Sequence, residues 1–224
     1  KVRYEISVRA LATANNNRAL IILAGRLRGA DTLQTNINNV AKDVYTVFQR
    51  NGYTSDNIYF LATDANLPGY TAAATRDSLH AAISTWAKGK LQTDGVLTLY
   101  LVDHGSPDLF YIDELSGQRL TPADLDGWLS ELESAVPGIK INVIIEACES
   151  GSFISLPNSI SKLGRVVITS SDAVNDAKAS KDGAYFSDHL LTWLRQGYNL
   201  AVGFGEARTV AKSIFALQQA HIDA

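Results

Sequence analysis

Apolar positions along this chain fall into two kinds of pattern. Runs with little polar interruption, Ala19-Leu20-Ile21-Ile22-Leu23-Ala24, Ile58 to Ala62, Val96 to Val102, residues 139–145 and Arg165 to Thr169, predict strands buried on both faces. Between them, Ile37, Val40, Ala41, Val44, Val47 and Phe48 recur at helical spacing and stop at Asn51-Gly52. Leu79, Ala82, Ile83 and Trp86 mark a second amphipathic helix over 75–88. Thr121-Pro122-Ala123-Asp124 reads as a helix start, with a capping hydroxyl, a proline at the first helical position and an acid in the first turn. That helix is predicted to stop before Pro137-Gly138, and two more are predicted over 184–196 and 204–220. Leu109 to Ile112 and Gln118 to Leu120 read as a hairpin. Trp86, Trp128 and Trp193 fall on apolar helix faces and are expected in the core. Val2, Tyr4, Ile6 and Val8 alternate as in a short strand, and Asn15-Asn16-Asn17 reads as a linker. Residues 1–17 are thus an N-terminal extension or linker, and 18–224 one α/β domain with a mostly parallel sheet flanked by helices on both faces.

Composition narrows the functions available. The 224 residues, 46% of them hydrophobic, suffice for one large core. A net charge of -3 with both signs interspersed provides neither a basic face for nucleic acid nor a polybasic membrane patch. No apolar stretch approaches the length needed to cross a bilayer, so neither nucleic acid nor membrane is an expected partner. One cysteine excludes an internal disulfide and a thiolate zinc cluster. Asp172, Asp176 and Asp182 are not spaced as in a calcium loop. Ala24-Gly25-Arg26-Leu27-Arg28-Gly29 lacks the glycine spacing that cradles phosphates. No metal and no cofactor are expected. A start at Lys1 and the lack of any methionine read as marks of a processed or excised chain. A pro-segment or additional domains outside it, and an extracytoplasmic or secreted location, are the corresponding expectations.

The chemistry lies at the ends of two strands. Val96 to Val102 runs into Asp103-His104-Gly105-Ser106, and Ile141-Asn142-Val143-Ile144-Ile145 into Glu146-Ala147-Cys148-Glu149-Ser150-Gly151-Ser152. Parallel α/β sheets build their sites at the carboxyl rim, which would bring the imidazole of His104 and the thiol of Cys148 together. Imidazole is the usual activator of a nucleophilic thiol, and such a pair can lower the thiol pKa by several units. Gly151 permits a sharp turn, whose backbone N–H groups are candidates for binding a developing oxyanion.

These two motifs resemble the active-site motifs of the legumain (asparaginyl endopeptidase) family, a branch of the caspase-like cysteine peptidases. The Ala24-Gly25 strand end, the helix ending Gln49-Arg50-Asn51-Gly52 and the hairpin between His104 and Cys148 follow the same order. The resemblance implies a caspase-like three-layer sandwich and a peptidase domain over 18–224. It implies that Cys148 attacks a peptide carbonyl, that His104 is the general acid/base, and that the N–H groups of Gly105 and Cys148 form the oxyanion hole. Glu146 matches one acid of the family's specificity pocket. The pocket arginine falls at Asn36, with Arg26 and Arg28 earlier in the loop, and the second acid falls at Ala184, two residues from Asp182. A family asparagine that orients the histidine falls near Gln34. Ser170 and Ser171 stand where the family pairs its backbone with bound peptide, or are ordinary loop serines.

The expected activity is endopeptidase cleavage of a peptide or protein after asparagine or a basic residue. Ligase or transpeptidase activity from the same acyl-enzyme and a non-catalytic recognition domain are the alternatives; intact His104 and Cys148 argue against the latter.

Overall fold

A computed structural model of the protein describes residues 17–29 and 32–224. The predicted strand over 2–8 and most of the predicted linker lie outside the described residues. Five predicted strands form: β1 (Arg18–Ala24), β2 (Ile58–Ala62), β4 (Val96–Val102), β8 (Lys140–Glu146) and β9 (Arg165–Thr169). They join β3 (Tyr70–Ala73) and β10 (His221–Asp223) in one sheet of order β10-β9-β8-β4-β1-β2-β3, parallel except for β10. A second, three-stranded sheet consists of β5 (Gly105–Ser106), β6 (Leu109–Asp113) and β7 (Gln118–Leu120).

Alternation along the strands sorts the helices. Ala19, Ile21 and Leu23 of β1 share a core with α2 (Arg76–Ala81), its π-helical continuation Ala82–Ala87 and α4 (Pro122–Ala135), while the short α3 (Lys88–Lys90) contributes no buried residue. Leu20, Ile22 and Ala24 face the other way, into the core beneath α1 (Leu33–Arg50), α5 (Tyr185–Arg195) and α6 (Leu200–Ile214). Uninterrupted apolar strands are therefore what a three-layer sandwich needs. All six positions read as the inward face of α1 are buried. The start of α4 is a capping box in which Thr121 Oγ1 accepts from the Asp124 N–H and Asp124 Oδ2 accepts from the Thr121 N–H. Trp128 is buried as expected, whereas Trp86 and Trp193 are only partly covered.

The last helix departs from the prediction. It begins at Leu200, where the Asn199 side chain accepts from the Val202 N–H, and ends at Ile214, before β10. Gly203 and Gly205 hide its first turn, and three residues of alternating polarity are too few to announce β10. The half-exposed β3 and the two-residue β5 lack a sequence signal for the same reason.

At the start of β9, Arg165 is a fully buried cation. Its Nε and Nη2 make a bidentate pair with Glu133 (2.6 and 2.8 Å), and Nη1 donates to Asp126 (2.7 Å) and the Ile160 carbonyl (2.8 Å). This cluster ties β9 to α4. Removing one partner of a buried pair strands the other charges. Arg165→Met is expected to lower stability by about 3 kcal/mol in chemical denaturation at neutral pH, and a loss below about 1 kcal/mol would contradict the role.

Candidate active site

Strands β4 and β8 are adjacent and parallel, with Val102 opposite Glu146, so their carboxyl ends meet at one rim. The sheet order reverses beside them, since β1 connects to β2 on one side and pairs with β4 on the other. Such a switch point is where open α/β sheets bind ligands. His104, Cys148, Glu146 and Asn36 line one cavity there, together with Asp103, Lys178 and an apolar wall of Leu33, Ile37 and Val40 from α1. The imidazole and thiol read from the sequence are thus on one face.

Gly105 sets how closely the two loops approach. A Cβ on it would lie 2.2 Å from the Cys148 carbonyl oxygen and 3.1 Å from the Ala147 Cβ. No side chain fits. The Tyr111 N–H donates to the His104 carbonyl (3.1 Å), so alternation in the antiparallel ladder makes Gly105 and Phe110 a non-bonded pair. The Gly105 N–H therefore faces away from β6. On the other loop, the N–H of Glu149 donates to Asn175, that of Ser150 to Ser171 Oγ, that of Gly151 to Asp172 and that of Ser152 to Glu149. The expectation that the Gly151 turn offers free N–H groups is corrected, because only the N–H of Cys148 itself has no acceptor among the described residues.

Glu146 projects from β8 toward α5. It is 3% exposed, and Oε2 accepts from the N–H (2.9 Å) and hydroxyl (2.5 Å) of Ser187, whose Oγ also meets the Tyr100 hydroxyl (2.7 Å). Oε1 is buried with no hydrogen-bond partner. Burial pushes this carboxyl up to about 7, and Ser187, with a smaller contribution from the nearby Ser170 hydroxyl, offsets part of the effect. Asp103 is a second buried acid: Oδ1 accepts from the His104 N–H (2.6 Å), Oδ2 is unpartnered, and burial holds it well above the usual carboxylate range. Its carboxyl packs against Gly25, where an added Cβ would meet it at 1.7 Å.

Cys148 is half-buried, and Sγ–H donates to the Ala177 carbonyl (3.6 Å). Burial pushes the thiol up, and the carboxylates of Asp176 and Glu146 push the same way. The expected lowered thiol pKa is corrected: burial under loop 170–183 moves it the other way.

Other expectations also need correction. The Ser170 and Ser171 backbones are not free to pair with a peptide. The Ser170 N–H donates to Ile145 and its carbonyl accepts from Gln218, while the Ser171 N–H donates to Ser150 Oγ and its carbonyl accepts from Thr169 Oγ1. Both side chains are fully buried and brace the Cys148 loop, Ser170 Oγ accepting from the Ala147 N–H (3.1 Å) and Ser171 Oγ donating to the Ala147 carbonyl (3.0 Å). Gln34 does not orient His104; it accepts from the Leu27 N–H and donates to the Gly25 carbonyl and Asn38. Arg26 is paired with Asp113 (2.6 Å), and neither it nor Arg28 lines the cavity. Asn36 does line it, although Nδ2 is spent on the carbonyls of Ser180 and Gly183 (2.9 Å each). Ala184 stands in the wall, and exposed Asp182 does not. Sequence analysis does not single out Ala177 and Lys178, in a loop without a motif, nor Ser187 on α5 and Gln218 after α6, whose partners are distant in sequence. Among the described residues, no group of three or more His, Cys, Asp or Glu side chains is placed to hold a metal ion.

Comparison with known proteins defines the class and then the family. The fold is shared with Caspase-1 from Spodoptera frugiperda, at a TM-score of 0.66 and 13% identity, covering 93% of this chain and 86% of that one. The pattern of the Peptidase C13 family matches residues 84–201, more than half of the chain and inclusive of both motifs, and the protein belongs to this family of caspase-like cysteine peptidases. It is also 25% identical over 160 residues to Metacaspase-1 of Eremothecium gossypii, covering 66% of this chain and 35% of that protein. Metacaspase-3 of Trypanosoma cruzi is 25% identical over 130 residues, covering 53% and 36%. The chain thus matches about a third of the length of these curated relatives.

The raised Glu146 carboxyl has a measurable consequence. Between about pH 4.5 and about 7 the folded state holds a proton that the unfolded chain releases, so stability falls as pH rises through that window. The full cost above it is roughly 3 kcal/mol. Glu146→Gln is expected to match wild type near the acid end and to exceed it by up to roughly that amount at about pH 8 in denaturant melts. A difference that does not change with pH would contradict the assignment.

Proposed function

We propose that this chain is a cysteine endopeptidase in which Cys148 and His104 form the catalytic dyad. One observation carries the reading: the thiol and imidazole line one cavity, where the backbones of Gly105 and Cys148 approach closely and their N–H groups have no acceptor among the described residues. His104 accepts the thiol proton as Sγ attacks the scissile carbonyl carbon. The C–S bond forms, and the carbonyl π electrons move onto oxygen between the two N–H groups. When the C–N bond breaks, the imidazolium returns the proton to the departing amine. Water, deprotonated by the same imidazole, then releases the acid and restores the thiol. Because the resting thiol is protonated and donates to Ala177, its ionisation accompanies attack, after substrate has displaced that carbonyl.

Glu146 supports a specificity. When ionised, its unpartnered Oε1 is a buried acceptor that gains from an amide N–H or a cationic head and repels a carboxylate. The resemblance to legumain adds asparagine as the residue before the scissile bond. Among the described residues no arginine lines the cavity, which weights the pocket toward lysine or arginine. We therefore read the substrate as a peptide cleaved after a basic residue or asparagine, and not after aspartate near neutral pH.

Profiling a peptide library tests this reading. Cys148→Ala is expected to retain its fold and lose cleavage to below about one hundredth of wild type, and His104→Ala to lose ~10³-fold or more. Glu146→Gln is expected to flatten the preference for basic residues. Cleavage that persists in Cys148→Ala, or selectivity unchanged in Glu146→Gln, would overturn the dyad or the pocket respectively.

A further inference from the structure

Gln218 is a polar side chain buried completely, outside every motif, in the segment between α6 and β10. Its carboxamide makes two long-range bonds. Oε1 accepts from the Lys178 N–H (3.2 Å) and Nε2 donates to the Ser170 carbonyl (3.1 Å). Each partner leads to Cys148. Lys178 follows Ala177, whose carbonyl accepts from the thiol, and Ser170 Oγ holds the N–H of Ala147, the residue before the cysteine. The same segment grips the loop a second time, with Lys178 Nζ 4.5 Å above the Phe215 ring. The far end of the loop is pinned separately, by Asn36 to Ser180 and Gly183 and by Asn39 to Asp182. A buried amide that satisfies backbone groups in two different loops is costly to remove, because both are left unpaired.

We propose that Gln218 is a positioning residue for Cys148, holding the Ala177–Lys178 peptide over the thiol and the Ser170 carbonyl behind it, so that the C-terminal segment sets how far the thiol is shielded. This rests on the reading of Cys148 as the nucleophile. The groups facing the thiol are Glu146 from β8, Asp103 and His104 from the end of β4, and Asp176 and Lys178 from the loop. Burial is what raises the thiol, so releasing the cap rehydrates it, increases the thiolate fraction near neutral pH and speeds alkylation. A purely structural role would lower the melting temperature and leave that titration in place.

The test needs no peptide turnover, and the single cysteine makes it unambiguous. Iodoacetamide alkylation of Cys148 is followed from about pH 6 to about pH 10 in the full chain, as wild type and as Gln218→Met, which retains length and loses both hydrogen bonds. The expected result is a cooperative melt with alkylation near pH 7 faster by about three- to tenfold and a midpoint moved to lower pH. A folded variant whose profile superimposes on wild type overturns the proposal. If Gln218→Met does not fold, hydrogen exchange in wild type decides. The Lys178 N–H is expected to be protected by at least about 10²-fold, and exchange at the unprotected rate overturns the proposal. A protein that cleaves no peptide yet shows the shifted profile would fail the peptidase reading alone.

Discussion

The approach of Gly105 to the Cys148 carbonyl, too close for any Cβ, is the constraint on which the site depends. Adjacent parallel strands bring two loops to one rim, where a side chain at position 105 would collide with the Cys148 carbonyl and hold them apart. Glycine removes the last obstacle. The ladder of β5 on β6 then turns the Gly105 N–H away from its own hairpin. Across the gap, the serines after β9 brace Ala147, and the N–H groups after Cys148 are consumed one by one. Among the described residues, what stays unpaired there is two N–H groups, the imidazole and one buried oxygen each of Glu146 and Asp103, beside a thiol held by the Ala177 carbonyl.

Much of this was legible in the sequence, for a physical reason. Strands buried on both faces must be apolar throughout, so β1, β2, β4, β8 and β9 stood out, and the polar residues that end β4 and β8 stood out with them. A capped helix such as α4 announces its first turn. The supporting layer was less legible. Ser170 and Ser171 look like loop serines, and only the three-dimensional path of the Cys148 loop turns them into buried braces. Asn36 lines the cavity, but its donors are directed into loop 180–183, a partnership across more than 140 residues that no local pattern reveals. Gln218 was silent for the same reason.

The site also spends stability that the fold supplies elsewhere. Glu146 and Asp103 each bury an oxygen without a partner, and both carboxyls are raised by desolvation. Arg165, with two carboxylates and a carbonyl around it, shows that the same chain fully satisfies a buried charge where no ligand is to be bound. Orphaned carboxyl oxygens on two residues that line one cavity, beside a thiol capped by a backbone carbonyl, are the feature on which the proposed preference for a donor-bearing side chain rests. That contrast links the electrostatics of the pocket to the chemistry at its rim.

The most direct measurement of the central claim is peptide hydrolysis by Gly105→Ala. The added methyl group must push the two loops apart and so displace the Gly105 N–H from the Cys148 N–H, while the sheet beneath is untouched. The account predicts a fall in kcat/KM of about 10²-fold or more with a cooperative melting transition retained. Turnover within a factor of about three of wild type would show that the close approach does not build the site, and would contradict the account.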